Sequence, residues 1–374
     1  MLAPPWIPVP APGYGGIEEV VRLLCDGFVG GGHEVTLFAP PRSRSCAEVQ
    51  PLLEEPHPDQ IERSRWEVDH VARAFDAIDA AAGSPGAFDV VHDHCGFAAL
   101  AMADRLATPL VHTMHGPLDD ETSAFYATHA HKGEIVAISH AQLEGAPSPL
   151  RDATVVHNPL EFGEWALSTE PGDHVLWMGR MAPFKGPHRA IAAARSANVP
   201  IVLAGPVQPG QEAFLAAEVE PHLDGKHVRY VGEVQNGGKD ETYGAARALL
   251  MPIRWAEPFG MVMTEAMACG TPVIAFPEGS APEVITQGVT GFLVEDEAAM
   301  AAAIGRIDEI DRAACRAQAE RQFGVEQAVS GYLQVYERAV AARRRAERLR
   351  THRPGVGRSG APPGVRAAAA RATS

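Results

Sequence analysis

Short apolar runs alternate with amphipathic stretches along the first half of the chain. Residues 18–30 carry apolar side chains at helical spacing and end at three glycines, which is typical of a surface helix and its C-terminal cap. Residues 34–39 then form an apolar run with the length of a buried strand. The same reasoning predicts helices at residues 61–82 and 96–106, and strands at residues 89–92, 109–113, 135–139 and 154–157.

The alternation restarts in the second half, after a loop at Asn158 and Pro159. Strands are predicted at residues 175–178, 201–204, 227–231, 248–252 and 272–275. Helices are predicted at residues 186–196, 212–221, 242–247, 260–268 and 298–308. Strands that alternate with helices indicate parallel sheets with right-handed crossovers. Two such series predict an α/β chain with two Rossmann-like, doubly wound parallel-sheet domains that face a cleft.

These patterns divide the 374 residues into four parts. We expect a first domain at residues 1–165 and a second at residues 166–325. A last helix at residues 326–342 could cross back to the first domain. Residues 343–374 are rich in Arg, Ala, Gly and Pro and offer little to bury, so they predict a basic disordered tail.

Charge is distributed unevenly along the chain. The net charge is −15, but the last 34 residues contain nine Arg and one Glu, which leaves −23 for the rest. A body this acidic argues against a nucleic-acid-binding protein, because phosphate contacts need a basic face. The arginines at residues 343–350 could touch acidic lipid, but a solvated helix end is the simpler interpretation, so peripheral membrane contact has no specific support.

Other features of the composition concern the compartment. We expect neither a membrane span nor a signal peptide, because no apolar run is long enough for a span and residues 1–6 contain neither a basic segment nor an apolar stretch. Its five cysteines are scattered and form no CxxC pair, which is typical of free thiols in a reducing compartment. We therefore expect a cytoplasmic protein.

The most specific pattern consists of two carboxylates eight positions apart, Glu257 and Glu265. Between them, Gly260 opens a predicted helix, and its missing side chain lets a ligand approach the backbone. The free N–H groups of residues 260–262 at this helix N-terminus favour an anionic phosphate. Glu257 can accept hydrogen bonds from sugar hydroxyls, and Glu265 from the two hydroxyls of a ribose. A buried, purely structural acidic pair is the alternative.

This stretch resembles the E-x7-E signature of glycosyltransferase family four, the retaining nucleotide-sugar glycosyltransferases (glycosyl transferases group 1) of the GT-B fold. The resemblance covers nearly the whole chain. It implies that the donor-binding residues include a segment beside the nucleobase and the turn before the helix: Glu233, Val234, Phe259, Gly260, Met261, Val262 and Glu265. It also implies that Glu257 is a catalytic-site residue that binds the sugar.

Three further segments match the family. In the segment at residues 178–186, the family's diphosphate clamp implies Arg180 and Lys185, two cations that would stabilise the leaving group in place of a divalent metal. The glycine-rich loop at residues 12–18 implies Gly15 and Gly16 as donor contacts from the opposite domain. The family's catalytic-site histidine, which follows a strand of the first domain, implies His115.

Several histidines support a rival interpretation as a metal site. His92 and His94 share one face of a predicted strand, as some metal ligands do. Asp93, His112, His115, His129 and His131 could be added to them. No H-E-x-x-H or equivalent ligand set is present, so we expect these side chains to line a polar cleft and no metal or other cofactor to be bound.

The resemblance therefore predicts a metal-independent, retaining transfer of a hexose from a UDP- or GDP-sugar to an unknown acceptor hydroxyl. A GT-B-like sugar-nucleotide epimerase or hydrolase and a non-catalytic sugar-nucleotide binding protein are the alternatives. The family has several apolar residues before the equivalent of Ala3, where this chain has Met1 and Leu2. We expect either a start codon placed too far downstream or a first sheet that lacks part of its middle.

Overall fold

The computed structural model describes residues 1–351 except Tyr14, Glu62, Gly145 and Asp152. The first half contains short strands and helices in alternation. Its strands are β1 (Thr36–Ala39), β2 (Glu48–Pro51), β3 (Val91–Asp93), β4 (Leu110–Met114), β5 (Glu134–Ala137) and β6 (Thr154–Val155). Its helices are α1 (Gly16–Gly30), α2 (Ser64–Ala81), α3 (Ala98–Met102) and α4 (Asp120–His129).

All strand pairs of the first sheet are parallel, in the order β3-β4-β5-β6 on one side and β1-β2 on the other. Leu2 lies between the two groups and forms parallel bridges to Phe38 and Asp93. Its N–H donates to the His92 carbonyl at 2.8 Å, and its carbonyl accepts from the His94 N–H at 3.0 Å. The middle of this sheet is therefore occupied, although by a shorter segment than its neighbours.

The second half repeats the alternation. Its strands are β7 (Val175–Met178), β8 (Ile201–Ala204), β9 (Val228–Tyr230), β10 (Leu249–Met251), β11 (Val273–Ala275) and β12 (Gly291–Leu293). Its helices are α5 (Pro187–Ser196), α6 (Glu212–Phe214), α7 (Lys239–Gly244), α8 (Met261–Ala268), α9 (Ala281–Val284), α10 (Glu297–Ile304), α11 (Arg312–Phe323) and α12 (Val325–Thr351). Residues 215–222 extend α6 in π and 3₁₀ turns.

The second sheet is also parallel, with the order β12-β11-β10-β7-β8-β9. This is the Rossmann strand order, in which the direction of the strand series reverses between β7 and β10. Ligands of such sheets bind in the crevice at the carboxyl ends of the strands on either side of this reversal. The loops after β7 and β10 are therefore the places where the fold itself predicts a site.

The last helix, α12, begins in the second half and packs on the first sheet. Its buried residues Tyr332, Val335 and Ala339 share a core with Val20 of α1 and Val111 of β4. It continues to Thr351, so the prediction of a disordered tail is wrong for residues 343–351, which are helical. The rest of the predicted tail, residues 352–374, lies outside the described residues.

The predicted fold class is confirmed, since both halves are α/β with parallel sheets. Strands at 175–178 and 201–204 have the predicted bounds, because both are fully apolar runs that end at a glycine and begin after His174 and Pro200. Strand β2 was missed because its side chains are largely accessible and form no apolar run. Helices α4 and α11 were missed because their few buried positions produce almost no apolar stripe.

Candidate functional site

Lys185 and Glu257 meet at the reversal point of the second sheet. Lys185 follows β7 and Glu257 follows β10, and their side chains form an ion pair with only 14% and 12% of each side chain exposed. Gly186 allows this approach: its φ is +74°, and a Cβ atom there would lie 2.3 Å from the Pro252 carbonyl oxygen. A residue with a side chain would push the Lys185 loop away from β10.

The environment of Lys185 acts on its proton affinity in opposite directions. Burial is the largest effect and lowers the pKa of Lys185, while Glu257 raises it and nearby Arg180 lowers it. The net pKa is lowered, although the ammonium also lies 4.7 Å from the centre of the Trp255 ring. Such a cation gains from a second negative partner, because a buried charge is stabilised mainly by its neighbours.

Arg180 lies in the same crevice. One of its Nη atoms donates to Gln208 at 3.2 Å, and its guanidinium lies 5.8 Å from the centre of the Phe184 ring. Its Nε is buried and has no hydrogen-bond partner among the described residues. Since buried donors are normally satisfied, this N–H is a candidate for an anionic ligand.

The turn after Glu257 leads into helix α8. Gly260 caps this helix in a left-handed conformation with φ +76° and ψ +66°. No side chain caps the first turn, so the N-terminal N–H groups keep the partial positive charge of a helix start. Met261 and Val262 begin the helix and are half-buried.

Glu265 lies one turn further along α8 and is held by two neighbours. The Tyr243 hydroxyl donates to one carboxylate oxygen at 2.7 Å, and the Lys239 ammonium lies 3.4 Å from the other. Both partners come from α7, which follows the segment at Glu233 and Val234. The carboxylate is therefore fixed in orientation and still has acceptor capacity for hydroxyl groups.

The glycine-rich loop of the first half approaches this site. Gly15 is the N-cap of α1, and a Cβ atom on Gly16 would lie 4.0 Å from the Met261 side chain. A Cβ atom on Gly13 would lie 3.3 Å from a carboxylate oxygen of Glu233. The N-termini of α1 and α8 therefore face one another across the crevice.

A row of histidines lies on one face of the first sheet. The rings of His92 and His94 are 4.1 Å apart, and His94 Nδ1 is 2.9 Å from His115 Nε2. Burial, followed by repulsion from His112, lowers the pKa of His115 to about 3. His115 is therefore neutral at physiological pH and carries one donor and one acceptor nitrogen. His92 is buried with both ring nitrogens bonded, so it lies inside the protein and does not line a cleft as predicted.

The other residues of the metal interpretation are separated by the sheet. His112 and Asp93 lie on its opposite face, where His112 Nδ1 is 2.6 Å from the Asp93 carboxylate and its Nε2 is 2.9 Å from the Tyr126 hydroxyl. Within the part of the chain that the structure describes, no three His, Cys, Asp or Glu side chains converge as ligands of a metal ion. No helix of the described residues is both long enough and apolar enough to cross a membrane.

Each half of the chain matches a known protein family. Residues 14–159 match Glycosyltransferase Family 4, and residues 166–322 match Glycosyl transferases group 1. The D-inositol 3-phosphate glycosyltransferase of Streptomyces avermitilis is 30% identical over 325 residues, which cover 72% of this chain and 68% of that protein. The chain belongs to glycosyltransferase family 4. The protein is therefore a glycosyltransferase.

Two further comparisons show how much of the chain is similar to other proteins. The D-inositol 3-phosphate glycosyltransferase of Kribbella flavida is 30% identical over 255 residues, which cover 56% of this chain and 60% of that protein. The solved structure of Anabaena HepE in complex with UDP and glucose has a TM-score of 0.67 and 18% identity, and the match covers 90% of this chain and 98% of that chain. This structural likeness shows that the two proteins share the GT-B fold.

Most of the site residues predicted from the sequence lie around one crevice of the folded protein: Gly15, Gly16, Arg180, Lys185, Glu257, Gly260, Met261, Val262 and Glu265. Glu233 lies at its edge and is exposed. The Phe259 ring is different, because it is buried against His157 and Phe323 and can line a ligand site only through its backbone. Val234 is half-buried and packs on the core of the second half.

Sequence reasoning missed the residues that orient this site. Tyr243 and Lys239 hold Glu265, although nothing in the sequence around α7 marks them. Glu283 is a further residue of this kind, and it joins the two halves of the glycosyltransferase. Its carboxylate accepts from the N–H groups of His140 at 2.8 Å and Ala141 at 2.6 Å, and it pairs with His157 at 3.2 Å. More than 120 residues separate Glu283 from each of these partners, so no local sequence pattern indicates the contacts.

Proposed function

We propose that this glycosyltransferase moves a hexose from a nucleotide diphosphate sugar to an acceptor hydroxyl, with retention at the anomeric carbon and without a metal ion. The ion pair of Lys185 and Glu257 at the strand reversal, next to the uncapped N-terminus of α8, is the observation that carries the proposal. It combines a cation, a hydroxyl acceptor and free N–H groups in one crevice. These are the groups that a sugar diphosphate requires.

The diphosphate is assigned to the cations. Lys185 is deeply placed, and Arg180 has a buried N–H without a partner among the described residues. In the free enzyme Glu257 is the anion beside Lys185, and a diphosphate that enters the crevice adds negative charge there. As the bond to the sugar breaks, this charge grows, so fixed cations and helix N–H groups stabilise the transition state more than the ground state.

The two glutamates are assigned to hydroxyl groups. Glu265 keeps acceptor positions beside Tyr243 and can hold both ribose hydroxyls. Glu257, once the diphosphate balances Lys185, can accept from hydroxyls of the sugar. Neutral His115 would contact the sugar from the first domain, with one ring nitrogen already engaged by His94.

The reaction needs no carboxylate nucleophile. The acceptor oxygen forms a bond to the anomeric carbon on the face from which the diphosphate leaves, and the bond from that carbon to the phosphate oxygen breaks. The released phosphate oxygen takes the proton of the acceptor hydroxyl, which balances the charges. The protein contributes positioning, charge stabilisation and exclusion of water.

The comparisons suggest which compounds to test first. The Anabaena relative in structure holds UDP and glucose, which supports a UDP-sugar as donor here, with a GDP-sugar as the alternative. The relatives from Streptomyces avermitilis and Kribbella flavida are named for D-inositol 3-phosphate, so a phosphorylated cyclitol is the first acceptor to test.

The first test is thermal stabilisation by UDP, GDP, ADP and a nicotinamide dinucleotide, in the presence of EDTA. We expect one diphosphate nucleotide to stabilise the wild type at millimolar concentration, because a ligand that binds only the folded state raises the melting temperature. Lys185→Ala should abolish this stabilisation. Lys226→Ala removes an exposed lysine of the same domain and should leave it unchanged.

Other outcomes would decide against parts of the proposal. Stabilisation by the dinucleotide alone, or equal stabilisation of wild type and Lys185→Ala, would contradict the diphosphate site. Stabilisation that appears only after magnesium replaces EDTA would contradict metal independence. Complete conversion of the donor without an acceptor would favour the epimerase or hydrolase over the transferase.

A further inference from the structure

Two tyrosines of the last helix reach the histidine row of the first sheet. The Tyr332 and Tyr336 side chains leave α12 one turn apart, and against the sheet Tyr332 is buried and Tyr336 is partly buried. The Tyr336 hydroxyl is 2.6 Å from His92 Nδ1, and the Tyr332 hydroxyl is 2.9 Å from Thr113 Oγ1. Thr113 Oγ1 is in turn 2.8 Å from His92 Nε2. Both ring nitrogens of His92 are therefore hydrogen-bonded.

One assignment of donors and acceptors gives an acceptor to each hydroxyl and ring N–H group in this network. The Tyr336 hydroxyl donates to Met1 Sδ at 3.9 Å, so its oxygen accepts from His92 Nδ1–H. His92 Nε2 then accepts from Thr113, and Thr113 accepts from Tyr332. In the opposite direction the Tyr332 hydrogen would have no acceptor among the described residues. The network therefore selects the Nδ1–H form of His92.

Contacts continue from His92 to His115, the histidine that we propose to contact the donor sugar. The His92 ring lies 4.1 Å from the His94 ring, and His94 Nδ1 is bonded to His115 Nε2 at 2.9 Å. The rings of His94 and His115 are also stacked, with an interplanar angle of 28°. His94 Nε2 is buried without a partner among the described residues, so this single bond to His115 and the contact with His92 determine where His94 lies.

We propose that Tyr332 and Tyr336 are positioning residues that set the orientation of His115 through His92 and His94. The proposal rests on the proposed function only in the claim that His115 contacts the donor sugar. A neutral imidazole has one donor and one acceptor nitrogen, so the nitrogen that His94 engages determines what the other offers to a ligand. The tyrosines do not touch the substrate.

Helix α12 connects the second half of the protein to the tyrosine–histidine network of the first sheet. The helix starts at Val325, directly after α11 of the second half, where the Leu160 N–H donates to the Phe323 carbonyl at 2.8 Å. Its later turns carry both tyrosines onto the first sheet. Any shift of α12 relative to the first sheet therefore moves the groups that hold His92, and with them His115.

The test uses the full-length protein with ¹⁵N-labelled histidine and long-range NMR spectra, which distinguish Nδ1–H from Nε2–H rings. Tyr336→Phe keeps the ring and removes the hydroxyl, and we expect the ring signals of both His92 and His115 to change. Tyr126→Phe is the matched control, because it removes a buried tyrosine–histidine bond on the opposite face of the sheet. It should change His112 and leave His115 unaltered.

An unchanged His115 signal in Tyr336→Phe, or the same change in Tyr126→Phe, would overturn the proposal. If Tyr336→Phe does not fold, Tyr332→Phe is measured by the same criteria. These spectra need no turnover, so they remain decisive even if the donor proposal fails.

Kinetics supply a second criterion. We expect Tyr336→Phe to lower kcat for donor consumption about tenfold while the affinity for the nucleotide diphosphate stays the same. In a His94→Leu background Tyr336→Phe should cost nothing further, whereas His94→Asn, whose amide can replace Nδ1, should retain most activity. An equal loss in both backgrounds would show that Tyr336 does not act through His94.

Discussion

At the scale of single residues, Arg312 shows how one charged side chain can organise a domain. It is 7% exposed, and burial lowers its pKa. Its guanidinium donates to the carbonyls of Ser168, Ala246 and Gly244 and to the Thr271 hydroxyl, at 2.6 to 3.0 Å. Ser168 precedes β7, Gly244 and Ala246 lie at the end of α7 and just after it, and Thr271 precedes β11, so the side chain joins segments that are distant in sequence.

Arg312→Leu should destabilise the protein by about 3 to 5 kcal/mol, because it leaves several buried carbonyl groups without donors. Urea unfolding measures the loss. Arg306→Leu is the control, since the pair of Arg306 with Glu309 is more than half exposed at both side chains and should contribute little. Equal losses in the two variants would contradict the assigned role of Arg312.

At the scale of elements, α8 presents its N-terminus to the crevice because its N-cap has no side chain. Gly260 has φ +76°, and a Cβ atom there would lie 2.9 Å from Met263 Cε and 3.0 Å from Met251 Cε. The backbone conformation therefore disfavours a side chain at this position, and an added Cβ would also require the ends of two methionine side chains to shift. The same turn determines the position of the Glu257 carboxylate and the direction of the N–H groups at the start of α8.

Gly260→Ala should cost about 1 to 3 kcal/mol of stability and abolish stabilisation by the nucleotide diphosphate. Gly288→Ala is the matched control, because Gly288 has φ +74° and nothing within 4 Å of the added atom. It should share the backbone cost and retain nucleotide binding. Loss of nucleotide stabilisation in both variants would assign the effect to general instability and not to the helix start.

At the scale of the whole molecule, the Glu283 carboxylate links the two halves by hydrogen bonds. Burial alone would raise its pKa, but hydrogen bonds from His157 and from the N–H groups of His140 and Ala141 outweigh burial and hold the pKa below 4.5. Its partners are on the first half, while Glu283 lies in α9 of the second. The link therefore stabilises the relative position of the two sheets as long as the carboxylate is charged.

Glu283→Gln should lower the melting temperature at pH 7, by the equivalent of about 1 to 3 kcal/mol. A carboxyl group with a lowered pKa stabilises the fold above its unfolded pKa, and this contribution disappears as the pH falls through the folded pKa. The difference between wild type and variant should therefore shrink below pH 4.5. Glu295→Gln, at an exposed site, should change little at any pH, and a pH-independent deficit in Glu283→Gln would contradict the ionic role.

The sequence by itself determined the fold class and most of the crevice. Strands such as β7 and β8 are continuous apolar runs, and their burial follows from composition alone. Gly260, between Glu257 and Glu265, places a helix start between the two carboxylates, so that Glu265 lies about one turn into the helix. Local chemistry of this kind is readable since neighbours in the chain are also neighbours in space.

Only the tertiary structure decided which distant groups meet. Lys185 pairs with Glu257 because the strand order places β7 beside β10, and no local pattern encodes that order. Tyr336 reaches His92 across 244 positions because α12 returns to the first sheet, where burial of its apolar face outweighs the cost of the long connection. The sequence therefore determines which groups can act, and long-range packing determines their partners.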